Sequence, residues 1–216
     1  HTIATSQHIP LLLLITAPSG SGKTTLCQNL MNAEPQVSRV ITCTTRSPRA
    51  NEKQGVDYHF LDKKAFEEGI QNADFLEYAE VYGNHYGTRK KDIFNQLEEG
   101  HDVLLNIDVQ GAENIRNHAK HDPKLHKSLV TVFLSPPSFG ELESRLRNRD
   151  TDQKEVILKR LAHAKREIEH WEFFDFLIIS GSVKEDLRRL QGIVQSERLK
   201  AHRQQLPAAI QNALEN

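Results

Sequence analysis

The chain has 216 residues, the size of one domain or of one core domain with small insertions. Its 28 basic and 29 acidic residues leave a formal net charge of −1, which argues against a basic coat for long nucleic acid and against an acidic disordered tail. With 38% hydrophobic and 26% charged residues, the composition is that of a soluble globular chain able to bury a sizeable core.

Leu11–Ile15 is the longest apolar run. It is far short of the roughly 20 residues that span a bilayer and wrongly flanked for a secretory signal. Cys27 and Cys43 form no CxxC pair, so a reducing, cytoplasmic compartment is the simplest expectation. Residues 1–8 are set aside as a poorly ordered terminus, as are residues 207–216.

The elements alternate along the chain. Leu11–Thr16 reads as a buried strand of a parallel sheet. Lys23–Asn32 reads as a helix stopped by Pro35, and Val40–Thr44 as a second strand. From Thr45 to Tyr86 the pattern changes. Tyr58–Leu61 and Phe75–Val81 alternate, with a helix over Lys63–Gln71, which suggests a small inserted subdomain. Helix then resumes at Lys90–Glu98, strand at Val103–Ile107, helix at Val109–His121, strand at Leu129–Leu134 and helix at Ser138–Arg147. Ile157, Leu161, Ala164, Ile168 and Trp171 form one apolar stripe on a long basic helix. Phe176–Ile179 is the last strand, and Leu187, Leu190 and Val194 line the last helix. This order predicts an α/β fold, a mostly parallel sheet with helices on both faces.

The strongest motif is Ala17-Pro18-Ser19-Gly20-Ser21-Gly22-Lys23-Thr24, followed by Thr25, placed between a strand and a helix. Gly20 and Gly22 permit a loop whose N–H groups converge on an anion, and the helix adds its positive end. Lys23 would bridge the terminal phosphates of a nucleotide and Thr24 would hold Mg²⁺. Asp108, at the end of its strand, faces the ligand crevice of such a sheet, and it also reads as the N-cap of the following helix.

Three further groups stand out. Thr42-Cys43-Thr44-Thr45-Arg46-Ser47-Pro48-Arg49 carries two arginines three apart with no acid among them. Tyr58 and Tyr86 flank the strands of the insertion, and Glu77 lies within Phe75-Leu76-Glu77-Tyr78-Ala79. Taken singly, the arginines read equally well as a solvated loop and Glu77 as the outward face of a strand.

Together with the phosphate loop, these stretches resemble the guanylate kinase family from about Leu11 to Arg203. Gly55-Val56-Asp57-Tyr58, Gly83-Asn84-His85-Tyr86-Gly87-Thr88, Ile107-Asp108-Val109-Gln110-Gly111 and Arg145–Arg149 complete the set. The resemblance implies a P-loop kinase core over 9–41 and 89–206, a mixed α/β GMP-binding subdomain over 42–88 and a helical lid at about 145–160. It implies that Arg46, Arg49, Tyr58 and Tyr86 hold the GMP phosphate while Thr42, Glu77, Thr88 and Asp108 surround the guanine. The chemistry agrees, because an ionised carboxylate is acceptor-only and takes both donors of guanine's pairing edge. Facing adenine it would oppose a ring acceptor, at a cost of roughly 1–3 kcal/mol.

Arg145, Arg149 and Arg160 lie where the family places its lid arginines. Arg145–Arg166 holds eight basic residues against three acidic ones. The guanidinium fork suits phosphate oxygens. Two positions depart from the family pattern: Asn106 stands where Asp is usual, and Ser180-Gly181-Ser182 stands where many members have Asn followed by acids. The expected reaction is Mg²⁺-dependent transfer of the ATP γ-phosphoryl to GMP or dGMP. Catalysis would come from alignment and charge stabilisation, with no strong general base. Neither a membrane nor a nucleic-acid polymer is expected as a partner, and either a monomer or a homodimer is compatible. Two other readings are a related P-loop kinase for another phosphate ester, such as a ribose bisphosphate, and a non-catalytic guanylate-kinase-like binding module. The eleven histidines are scattered, and His118, His121 and His126 read as a polar helix end and loop.

Overall fold

The structure is a computed structural model that describes residues 8–149 and 153–216, the Arg149 side chain excepted. In chain order it forms β1 (Leu12–Thr16), α1 (Lys23–Ala33), β2 (Val37–Arg39), β3 (Cys43–Thr44), β4 (His59–Phe60) and α2 (Lys63–Gln71). There follow β5 (Phe75–Val81), β6 (Asn84–Arg89), α3 (Lys90–Glu98), β7 (Asp102–Asn106), α4 (Val109–Ala119) and α5 (Pro123–Ser128). The remainder is β8 (Leu129–Ser135), α6 (Phe139–Arg149), α7 (Lys154–Ile168), β9 (Phe176–Ile179), α8 (Val183–Leu199) and α9 (Ala208–Leu214).

Five strands form a wholly parallel sheet in the order β2-β7-β1-β8-β9. Because side chains alternate across a strand, β1 feeds two cores at once. Leu13 and Ile15 join Leu26, Leu30, Leu190 and Val194 from α1 and α8 on one face. Leu12 and Leu14 join Ile93, Ala112, Ile115 and Leu125 from α3, α4 and α5 on the other. All five residues of β1 are buried, so the strand that ends in the phosphate loop is clamped from both sides.

The second sheet has four strands in the order β4-β3-β6-β5 and is mixed. Strands β5 and β6 are joined by the two-residue turn Tyr82-Gly83, both at positive φ (50° and 78°). That conformation matches the twist of a tight hairpin. Cys43, Phe66 and Phe75 are the buried core of this sheet, with the Phe66 and Phe75 rings stacked at 4.6 Å. A separate small cluster, Leu142, Leu146 and Ala164, packs α6 against α7.

Several segments differ from the sequence reading. Val40–Thr44 is not one strand: β2 pairs with β7 in the large sheet and β3 with β4 and β6 in the small one, and the chain crosses between them. Local alternation carries no information about which partner a strand takes. The helix read as Val109–His121 and ended by Pro123 stops at Ala119, and Pro123 instead opens α5, where its missing N–H costs nothing. Trp171 continues the spacing of the α7 stripe, yet it lies beyond the helix in a single 3₁₀ turn and is 41% exposed.

Parts of the two ends set aside in the sequence reading are described. His8 is a half-buried edge residue whose Nε2 lies 3.1 Å from Asp102 Oδ1. Asp102 also accepts from Leu11 N at 2.8 Å and from Arg198 Nε at 2.8 Å. Ile9 N donates to Arg203 O at 2.7 Å. Residues 208–214 form the exposed helix α9. The expectation for residues 1–7 lies outside the described residues. No helix among those described is long and apolar enough to cross a membrane.

Candidate active site

The phosphate loop leaves the buried end of β1. Thr16 Oγ1 donates to Ile107 O at 3.0 Å, which ties the ends of β1 and β7 together. Gly20 and Gly22 both take positive φ (86° and 82°), the region that favours glycine. Gly22 is the N-cap of α1 and has no side chain to satisfy the first N–H groups, so these stay available to an anion. Ser21 Oγ is buried and has no hydrogen-bond partner among the described residues. Ala17 is packed into the core beneath the loop, where a small side chain suffices.

Burial pushes the Lys23 ammonium below its ordinary range, against the opposing pull of Cys27, Glu167 and Asp108. Lys23 shares a cavity of about 220 Å³ with Thr42, Tyr58, Glu77, Tyr86, Asn106 and Asp108. One wall of that cavity therefore comes from the parallel sheet and the other from the mixed sheet.

Glu77 is 5% exposed and accepts from Thr88 Oγ1 at 2.9 Å, its cross-strand partner. Burial raises its carboxyl to about 7; the Thr88 hydrogen bond works against that rise and Asp108 adds to it. When ionised, this carboxylate can accept two donors from a planar ligand. Asp108 caps α4 through Gly111 N at 2.8 Å and also lines the cavity, so both roles read for it are geometrically compatible. Thr88 is fully buried and donates to the Glu77 carboxylate that lines the cavity.

The Arg46 guanidinium lies over the Tyr58 ring, 5.3 Å from its centre. The Tyr58 and Tyr86 rings meet edge to face at 6.2 Å. Arg49 is exposed, and its backbone N donates to Glu52. Arg145 pairs with Glu141 at 2.6 Å and lines a second cavity of about 320 Å³ with Gly20, Gly22, Thr25 and Ser180. Arg160 lines a third, a cleft of about 820 Å³ between α7 and the β5–β6 hairpin, which it shares with Asp108. The Arg149 side chain and residues 150–152 of the expected lid lie outside the described residues.

Four residues escaped the sequence reading. Glu52 binds Arg46 bidentately, three residues beyond the stretch that seemed to lack an acid. Gly111 leaves room for Glu77, because a Cβ there would sit 2.7 Å from Glu77 Oε2. Glu167 is buried on α7, and its carboxyl is raised by burial against the pull of His163 and Lys23. Its phase, three residues after Ala164, was the available signal. Asp186 holds the Ser180-Gly181 corner through Ser180 Oγ (2.8 Å) and Gly181 N (2.9 Å), and so brings an acid to a loop that lacks one of its own.

Comparison with known proteins gives a match to the guanylate kinase family over residues 10–197. A guanylate kinase of Chromobacterium violaceum is 44% identical over 196 residues, 91% of this chain and 90% of that protein. One of Carboxydothermus hydrogenoformans is 40% identical over 197 residues, 91% of this chain and 93% of that protein. The crystal structure of guanylate kinase from Anaplasma phagocytophilum superposes with a TM-score of 0.75 at 28% identity, covering 98% and 97% of the two chains. With the phosphate loop, the inserted mixed sheet and near-complete coverage in agreement, the chain belongs to the guanylate kinase family and is a kinase.

Proposed function

We propose that the protein transfers the γ-phosphoryl of ATP to GMP or dGMP, giving ADP and the diphosphate, in the cytoplasm. One observation carries this reading: Lys23 of the phosphate loop and the buried Glu77 line a single cavity. A phosphate-directed cation thus shares it with a carboxylate suited to guanine's two adjacent donors. Tyr58 and Tyr86, with Arg46 over the Tyr58 ring, form the acceptor-phosphate side, and Thr42 and Asp108 complete the base side.

Thr24 and Asn106 border a common cavity of about 250 Å³ and offer oxygen donors, the type that Mg²⁺ takes. When bound there, Mg²⁺ neutralises phosphate charge. Asn106 would offer a neutral amide oxygen, a weaker ligand for a hard cation than a carboxylate. Lys23, the loop amides and the arginines Arg145, Arg149 and Arg160 hold and stabilise the transferring group. The acceptor phosphate is already anionic near neutral pH, so alignment and charge stabilisation suffice.

A coupled ADP-release assay with ATP and a panel of GMP, dGMP, AMP, UMP and ribose bisphosphates tests the reading. Turnover with the two guanine nucleotides alone is expected. Turnover with a ribose bisphosphate instead would point to a kinase for another phosphate ester. No turnover with any, together with phosphopeptide binding, would point to a non-catalytic module.

A further inference from the structure

Arg46 has five N–H donors arranged along two usable edges. The end-on edge is fully engaged: NH1 donates to Glu52 Oε1 at 2.8 Å and NH2 to Glu52 Oε2 at 2.8 Å. The second proton of NH1 goes to Ser47 O at 3.0 Å. What remains is Nε–H and the outer proton of NH2, which together make the side-on edge, a bidentate fork for an oxyanion, and the Tyr86 side chain also hydrogen-bonds this guanidinium. Glu52 is anchored as firmly as it anchors. Its Oε1 also accepts from Arg49 N at 2.8 Å, and Glu52 N donates to Arg49 O at 3.0 Å. The carboxylate therefore locks the Arg46 fork to the backbone of its own loop, with the Tyr58 ring beneath the guanidinium.

We propose that Glu52 is a positioning residue for the acceptor phosphate: by occupying the end-on edge of Arg46 it presents the side-on edge, already oriented, to the phosphate of the incoming nucleotide. The proposal rests on the reading of Arg46 as part of the acceptor-phosphate site. Simple charge counting gives the opposite expectation, since removing an acid beside a phosphate site strengthens attraction for the anion. The two effects differ in sign, so one measurement separates them.

Calorimetric titration of the wild type, Glu52→Gln and Arg46→Ala with GMP, guanosine and ATP provides that measurement. Glu52→Gln is expected to weaken GMP by about 5- to 20-fold, the cost of ordering a long side chain and one fewer charge-assisted bond. Guanosine and ATP should be unchanged. In the Arg46→Ala background, Glu52→Gln should have no further effect on GMP. Tighter GMP binding by Glu52→Gln would show that Glu52 competes with the phosphate and overturn the proposal. Equal weakening of guanosine would reduce Glu52 to a structural role and overturn it as well. A wild type that binds GMP no better than guanosine would remove the acceptor-phosphate reading and, with it, the proposal.

Discussion

The two sheets place opposite demands on their surroundings. The parallel sheet buries both faces, and its central strand β1 is inaccessible along its whole length. The mixed sheet rests on Cys43, Phe66 and Phe75, with Leu61 and Ile70 at the margin. A core that small contributes little, and regions with few buried apolar contacts open at low free energy. Polar pairs compensate: Glu77 with Thr88, Arg46 with Glu52, and Thr44 and Thr45 with the backbone of His85. The cavity between the sheets thus has one rigid wall carrying Lys23 and one wall whose shape depends on its own hydrogen bonds. The rigid wall suits a phosphate site, and the softer wall suits a subdomain that closes on its ligand.

The sharpest way to break this contrast is Phe66→Ala. Truncating a fully buried aromatic costs about 3–5 kcal/mol, which is large against so small a core. Amide exchange should accelerate across residues 42–89 while β1, β7 and β8 stay protected, and GMP binding should fail with ATP binding retained. Uniform acceleration over both sheets would mean that they unfold as one unit. The next largest effect belongs to the rigid wall. Lys23→Ala should lower turnover by roughly 10²–10³-fold, the range for losing one preorganised charge-stabilising group. Its melting temperature should hold, because the cation removed is itself penalised by burial. Near-normal turnover would remove Lys23 from the reaction.

Glu77 gives a pH test of the softer wall. Its folded-state carboxyl lies at about 7, above the ordinary 4.5. Between those values the native state holds more protons than the unfolded one, so this group lowers stability progressively as pH rises from about 4.5 to 7 and no further above that. Glu77→Gln should therefore raise stability at pH 8, by on the order of 1–3 kcal/mol, and leave it unchanged near pH 4. In the wild type, GMP binding should weaken as pH falls below about 7, while ATP binding follows no such trend. The Gln variant should bind GMP more weakly at pH 8, since one acceptor has become a donor, and the difference should shrink as pH falls below about 7 and the wild-type carboxyl is itself protonated. The smallest effect is expected for deletion of residues 207–216. All are exposed, and the change in stability should stay within about 0.5 kcal/mol by thermal melt.

The parallel sheet was legible because its strands are continuous apolar runs and the Gly-Lys-Thr turn marks where the first one stops. The insertion was legible as a change of pattern but not as a pairing scheme. The stretch Val40–Thr44 shows why: only Cys43–Thr44 is a strand, in the small sheet, and the large-sheet strand lies just before the stretch at Val37–Arg39. Lys23 could be found from the phosphate-loop motif and Asp108 from its place at a strand end, whereas Glu77, Tyr58 and Tyr86 stood out only as members of a set of stretches that resembles a family. Glu52, Gly111 and Asp186 could not be found, because each acts through another residue. Glu52 orients an arginine, Gly111 matters for the atom it lacks, and Asp186 fastens a corner. Such roles depend on distances across a fold, which a linear sequence does not contain.

The stitch at the amino-terminal edge of the parallel sheet has a topological consequence. His8 bridges Gln204, Ile9 bonds Arg203, and Asp102 gathers His8, Leu11 and Arg198. The polypeptide from 8 to 204 is thereby almost a closed circuit whose seam lies on the far side of the sheet from the ligand cavity. Which element comes first along such a circuit is an accident of where the seam was left open. Joining 204 to 8 by a short linker and opening the exposed turn at Gly100 should therefore keep every strand neighbour in place, and retained GMP turnover by the rearranged chain would check it.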